Sequence, residues 1–186
     1  MKDLRRKKIE TTTEEDSLAV NPKGLDKYKM GTTRNCMFCT AAMELRSRGY
    51  DVRARRKNVG EEDTMWTEMF EGAKVVSAKI DRLPRESMKK YADRSYNELC
   101  NRLERLGNGS RGYVGMGFRH AGNGHAIFFK VDNGVVKFYD AQSPKEDTNN
   151  LFAVARPDEY VYCRLDNLKL KENVTSAVIS VKEKNK

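Results

Sequence analysis

A short turn sequence lies between two apolar runs in the second half of this chain and limits the folds open to it. Residues 125–131 read His-Ala-Ile-Phe-Phe-Lys-Val, residues 135–140 read Val-Val-Lys-Phe-Tyr-Asp, and Asp132-Asn133-Gly134 lies between them. An Asn-Gly pair readily adopts the backbone angles that a tight hairpin turn requires. The pattern therefore predicts two antiparallel strands. Because the start of the first strand then lies near the end of the second, we expect His125 and Asp140 to be neighbours.

A second segment predicts a helix that begins at a cysteine. Residues 32–35, Thr-Thr-Arg-Asn, offer N-cap side chains, and apolar residues recur at helical spacing after Cys36. Gly49 suits the position just beyond the helix C-terminus. The free N–H groups and the dipole at a helix start stabilise negative charge. A thiol at this place is therefore a better nucleophile, and the same N–H groups can bind an oxyanion.

The rest of the pattern predicts an α+β fold, with helices first and an antiparallel sheet afterwards. Residues 61–106 are expected to be mostly helical, and the Gly-rich residues 107–109 end that helical region. Residues 50–54, 113–118 and 160–165 are strand candidates.

A length of 186 residues suits one domain. The polar, charged ends indicate a flexible N-terminal tail over residues 1–24 and a charged C-terminal tail over 176–186. The catalytic domain is expected over residues 25–175.

One cysteine, one histidine and one aspartate form the candidate site. An imidazole beside a thiol takes its proton and later protonates the leaving amine. A carboxylate next to the imidazole fixes its tautomer and stabilises the imidazolium. These roles fall to Cys36, His125 and Asp140. The Gly-rich residues 121–124 before His125 leave backbone room for a substrate.

Two sequence blocks also resemble a known family. The first contains Asn35-Cys36-Met37-Phe38-Cys39 and then Glu-Leu-Arg-Ser-Arg-Gly-Tyr-Asp-Val; the second contains Gly-His-Ala-Ile-Phe and then Val-Lys-Phe-Tyr-Asp-Ala-Gln-Ser. Over about residues 20–145 they resemble the papain-fold toxin domains, the glutamine-deamidase-type toxins of bacterial polymorphic toxins and phage-associated proteins. The resemblance implies a papain-like fold in which the cysteine helix packs on a sheet that carries the histidine and the aspartate. It also implies that Cys36 is the nucleophile, His125 the base and Asp140 the third member.

The chain departs from the wider papain pattern at the oxyanion site. Those enzymes place a glutamine a few residues before the cysteine, whereas residues 29–35 here read Lys-Met-Gly-Thr-Thr-Arg-Asn. Asn35 or backbone N–H groups would then serve as the oxyanion donor. Gln142 and Gly124 are further candidates for oxyanion or substrate contacts.

The predicted activity is attack of a thiolate on a carboxamide, with no cofactor. A glutamine side chain as substrate makes the enzyme a protein deamidase, which the resemblance favours. A backbone amide makes it a cysteine protease, and the residues themselves do not separate the two. The resemblance further implies a protein substrate, and an immunity protein or a phage or delivery assembly as partner.

The charge of the chain leaves another class of function open. Its 36 Lys and Arg against 27 Asp and Glu give a net charge of +9, which favours acidic partners. A non-catalytic, phage- or particle-associated binding module, attached to nucleic acid or a larger assembly, is the alternative. The N-terminus lacks the apolar stretch of a signal peptide, and no apolar run would span a bilayer. We expect action in the cytoplasm of the producing or a target cell, after delivery or on a virion.

The pair Cys36 and Cys39 forms a C-x-x-C motif with two other readings. With His120 and His125 it would bind zinc, and alone it would be a redox pair. The histidines lie far beyond zinc-finger spacing, and the segment before the motif is polar rather than strand-like. We therefore expect no metal, and four free thiols.

Overall fold

The computed structural model describes residues 4–22, 34–58, 60–62, 64–119, 123–144 and 147–181. The predicted cap residues Thr32 and Thr33, and His120, lie outside these ranges. The helices are α1 (Thr13–Val20), α2 (Cys36–Ser47), α3 (Trp66–Met69), α4 (Met88–Glu104) and α5 (Thr148–Val154), followed by a 3-10 helix (Glu172–Ala177). The strands are β1 (Val52–Ala54), β2 (Val76–Ser77), β3 (Arg111–Gly117), β4 (Gly124–Asp132), β5 (Val135–Tyr139), β6 (Val161–Arg164) and β7 (Val178–Ser180).

The central sheet has five antiparallel strands in the order β2-β6-β3-β4-β5, and β1 pairs with β7 in a separate ribbon. The predicted hairpin is present: β4 and β5 pair from Phe128↔Tyr139 to Asp132↔Val135. Asn133 and Gly134 have φ of 51° and 79° at the turn. Both angles lie in the left-handed region that a two-residue hairpin turn requires, so the turn sequence explains the register.

Helices cover both faces of the sheet because the strand side chains alternate between faces. Phe128 of β4 and Tyr113 of β3 belong to one apolar core with α2. Ile127 and Phe129 of β4 belong to a second core with Leu99 of α4. The predicted α+β class and the packing of the cysteine helix on the antiparallel sheet are therefore confirmed.

The predicted helical region over 61–106 is only partly helical. It contains the short α3 and the long α4, and β2 lies between them. Gly72, with φ of 71°, follows α3 in a left-handed conformation that breaks a helix. Leu83 before α4 is exposed, so residues 71–87 offer no apolar stripe that would bury a helix.

The two predicted tails are only partly tails. In the first, α1 has a capping box between Thr12 and Glu15, and its buried Asp16 accepts from Arg46 Nε of α2 at 2.8 Å. In the second, β7 pairs with β1. Buried charges are retained only when they are paired, so this ion pair attaches the N-terminal segment to the domain. Boundaries at residues 24 and 175 therefore exclude segments that are packed. No helix in the described part of the chain is long and apolar enough to cross a membrane.

Candidate active site

Cys36 is the first residue of α2 and is half-buried. The first bond of this helix runs from the Cys39 N–H to the Asn35 carbonyl, at 2.9 Å. The N–H groups of Cys36, Met37 and Phe38 therefore have no acceptor within the helix. These donors and the helix dipole stabilise a thiolate, and they can also stabilise an oxyanion that forms beside Cys36.

His125 is the second residue of β4, opposite Met116 of β3. Its Nε2 lies 3.0 Å from Oδ2 of Asp140, and both side chains are largely buried. The ring stacks on Phe118 with centroids 6.2 Å apart. His125 and Asp140 are thus neighbours, as expected. The contact occupies Nε2 of the ring, and Nδ1 remains for the thiol.

Asp140 follows β5 directly and is held by its own loop. Its Oδ1 accepts the backbone N–H groups of Gln142 at 3.0 Å and Ser143 at 3.3 Å, while Oδ2 faces His125. This Asx-type turn fixes the carboxylate plane through backbone donors of its own loop. The carboxylate can therefore hold the imidazole in one orientation.

The environment of His125 strongly favours its charged form. Burial lowers the pKa of the imidazole, but hydrogen bonds to Asp140 and Cys36 and the charges of these two groups raise it to about 10. At neutral pH His125 is therefore an imidazolium beside the sulfur of Cys36. The imidazolium can donate a hydrogen bond to this sulfur and later a proton to a leaving group.

Three buried amide side chains connect the parts of the site. Asn21 Nδ2 donates to the Gln142 carbonyl at 3.0 Å, and Gln142 Nε2 donates to Asn35 Oδ1 at 3.2 Å. Asn35 Nδ2 in turn donates to the Arg55 carbonyl at 3.1 Å. This series of hydrogen bonds thus joins the N-terminal segment, the Asp140 loop and the start of α2.

These contacts bear on the predicted oxyanion donors. Asn35 is the N-cap residue, but its side chain makes no cap bond. Its amide instead donates to the Arg55 carbonyl. Gln142 lines one cleft beside the site and also supports Asn35. Among the described groups, the backbone N–H groups of α2 are the better placed donors. Asn21 was not found from the sequence, since a lone asparagine in a polar stretch gives no signal.

Gly124 pairs with Gly117 at the end of the β3–β4 ladder, directly before His125. A Cβ atom at Gly124 would lie 2.6 Å from the backbone oxygen of Met116. A glycine is therefore required for the two strands to approach so closely. The predicted contact of Gly124 with an oxyanion or a substrate stays a prediction.

Two clefts meet at the cysteine–histidine pair. One has a volume of about 490 Å³ and the other about 450 Å³. Both are lined by Cys36, Asn123, Gly124 and His125. The reacting groups therefore lie at the junction of two open spaces, where an extended chain has room on either side.

The other cysteine readings gain no support from the described residues. All four cysteines are free thiols. Burial raises the pKa of the Cys39 thiol well above its usual value, so this residue is inert beside Cys36. Within the described ranges, no three His, Cys, Asp or Glu side chains group in a way that could hold a metal ion.

A helix that begins at a cysteine, packed on an antiparallel sheet that presents a histidine and an aspartate, defines a papain-like α+β fold. The model of the family described as papain fold toxin 1, glutamine deamidase, matches residues 34–145, more than half of the chain, and the chain belongs to this family. The family expected from the two sequence blocks is thereby confirmed. Neither the comparison with curated proteins nor that with solved structures gave a match.

Proposed function

We propose that this protein is a cysteine-dependent glutamine deamidase of the toxin or effector type, which acts on a protein substrate. The observation that carries the proposal is the buried contact of 3.0 Å between His125 and Asp140, next to Cys36 at the start of α2. Family membership supports the same chemistry.

The first half-reaction forms a thioester. The Cys36 thiolate attacks the Cδ atom of a glutamine carboxamide, and the carbonyl oxygen becomes an oxyanion near the free N–H groups of α2. The His125 imidazolium donates its proton to the leaving nitrogen, so that ammonia departs. Asp140 holds the ring in place while its charge changes.

The second half-reaction releases the product. Neutral His125 takes a proton from a water molecule, and the resulting hydroxide attacks the thioester carbon. The thiolate of Cys36 leaves, and the glutamine has become a glutamate. The net reaction consumes one water and releases one ammonia.

Mass spectrometry tests the proposal directly. The protein is incubated with glutamine-containing polypeptides, and a gain of about one dalton without chain cleavage identifies deamidation, since the same acyl-enzyme step also serves proteolysis. Cys36→Ala is expected to lose the activity. Cys39→Ala, which changes the buried cysteine one turn further along α2, is the matched control and should retain it.

Other results would redirect the assignment. Cleavage of the backbone would make the protein a protease of the same fold. Activity that survives in Cys36→Ala would refute the mechanism. Salt-dependent nucleic-acid binding unaffected by Cys36→Ala, without turnover, would support the non-catalytic, phage- or particle-associated basic module instead.

The toxin assignment extends to partners and place of action. We propose that the protein acts in the cytoplasm of a producing or target cell and reaches a target cell through a phage or delivery assembly. An immunity protein that covers the site would protect the producer. Expression inside cells is expected to inhibit growth for the parent and not for Cys36→Ala.

A further inference from the structure

The two clefts beside the cysteine–histidine pair differ in chemistry. The larger is apolar over most of its lining. Its larger apolar side chains are Met37, Met65, Trp66, Val75, Met116 and Val161. The other carries Arg34 and Lys57 together with polar groups of the Asp140 loop. A substrate that crosses the site therefore meets two unlike environments.

Two residues of the apolar cleft are exposed although they are apolar. Met65 is 46% exposed and Val75 is 42% exposed. Exposed apolar groups at the rim of a concave site favour a ligand that buries them. Methionine side chains are flexible and fill irregular gaps, so this cleft suits large apolar side chains of varied shape.

The charges of the apolar cleft are already satisfied. Arg156 and Glu159 at its edge form an ion pair with an N–O distance of 2.6 Å. The pair therefore presents no net charge to a ligand. Selectivity on this side of the site rests on shape and apolar contact.

The second cleft has an excess of positive charge. Arg34 is exposed, and Lys57 is half-buried. Among the described residues that line this cleft, Asp140 is the one carboxylate, and His125 and two backbone N–H groups already bind it. An acidic side chain of a ligand would therefore meet the guanidinium of Arg34 here, while Asp140, the one carboxylate of the described lining, is already bound.

We infer that the substrate is a polypeptide segment in which the target glutamine has a large apolar residue on one side and an acidic residue on the other. The inference rests on the proposed deamidase function and names the substrate class of the same site. The apolar residue occupies the cleft beside Met65 and Val75, and the acidic residue faces Arg34. The glutamine side chain reaches Cys36 at the junction between them.

Blocked peptides of equal length test the inference. Leu-Gln-Glu and Glu-Gln-Leu cover both chain directions, Leu-Gln-Lys and Lys-Gln-Leu reverse the charge, and Ser-Gln-Ser is the reference. For the better direction, kcat/KM is expected to exceed the reference by about tenfold or more, which is the effect of burying a leucine side chain. Replacing the acidic flank by lysine is expected to lower kcat/KM by about threefold, as for an exposed ion pair.

Variants connect each preference to its cleft. Val75→Glu should reduce the ratio of kcat/KM between the leucine peptide and the serine reference by about tenfold. The control Val135→Glu changes a similarly exposed valine at the hairpin turn and should leave the ratio unchanged. Arg34→Glu should reverse the preference between the acidic and the lysine flank, whereas Arg53→Glu, on the exposed side of β1, should not.

Binding to the inactive protein separates this inference from the proposed function. Trp66 is the only tryptophan of the chain and lines the apolar cleft, so its fluorescence reports occupancy in Cys36→Ala. If no peptide is deamidated but the acidic leucine peptide binds best, the cleft inference stands and the deamidase proposal fails. If all peptides are deamidated at equal rates, the deamidase proposal stands and the cleft inference is overturned.

Discussion

Replacing Asp140 by asparagine is the change that most directly tests the site. The substitution keeps the size of the side chain and removes its charge. In the folded protein four effects raise the pKa of His125 to about 10, and Asp140 supplies two of them, a hydrogen bond and a charge, against the opposing effect of burial. Without the carboxylate, only Cys36 remains to raise the pKa of His125 against the lowering effect of burial. We expect the pKa of His125 in Asp140→Asn to fall by about two pH units or more.

Nuclear magnetic resonance of the imidazole rings measures this fall. The chain has two histidines, so two sets of ring signals appear, and His120→Gln identifies the signal of His125. The titration runs from about pH 5 to about pH 11, which brackets both the ordinary and the raised value. Asp132→Asn is the matched control. It changes an exposed aspartate about 23 Å away at the other end of β4, and should leave the titration unchanged.

The same variant has a catalytic consequence. With the wrong tautomer and a weaker imidazolium, kcat is expected to fall by about 10⁴, as for the corresponding change in a comparable triad. Selective alkylation of Cys36 at neutral pH should slow in parallel, because the imidazolium beside its sulfur is lost. A variant whose His125 still titrates near pH 10, or whose Cys36 reacts as fast as in the parent, would refute the role given to Asp140.

Three further measurements probe the supports of the site. Asn21→Leu removes the buried donor to the Gln142 carbonyl, and is expected to lower the free energy of unfolding by about 1–3 kcal/mol in urea titrations; an unchanged midpoint would contradict this. Gly124→Ala forces a Cβ against a backbone oxygen, whereas the Cβ of Gly117→Ala meets a carboxylate that can move. Only Gly124→Ala should therefore lose most activity, and equal losses in the two variants would contradict this reasoning. Because the pKa of His125 rises from 6.5 to about 10 on folding, its stabilisation is complete below pH 6.5 and disappears as the pH rises through 10. The unfolding free energy should drop by about 1.4 kcal/mol per pH unit between these values, and a flat profile would exclude the shift.

Local sequence signals were sufficient for the parts of the site that depend on short-range geometry. The Asn133-Gly134 turn determines the register of the β4–β5 hairpin, and this register brings His125 close to Asp140. Gly49, with φ of 86°, follows α2 as predicted. In both cases the backbone angles of one or two residues decide the outcome, and such angles can be read from residue type.

Contacts between residues far apart in the sequence could not be predicted from these local patterns. The bond from Asn21 to Gln142 joins residues 121 positions apart, and the pairing of Asp16 with Arg46 joins residues 30 positions apart. A polar N-terminal stretch looks like a tail unless its partners are known. The lining of the apolar cleft was equally hidden, because α3, Val75 and β6 meet there only in the folded chain.

The position of β6 has a practical consequence for anyone who wishes to move this chemistry into another protein. The family segment ends at residue 145, yet β6 at Val161–Arg164 lies between β2 and β3 in the sheet. A transplant cut at residue 145 would turn β3 into an open edge, and open edges recruit strands from other chains. The segment to be transferred is therefore longer than the family segment, since it needs the last strands of the chain to cover the edge of β3.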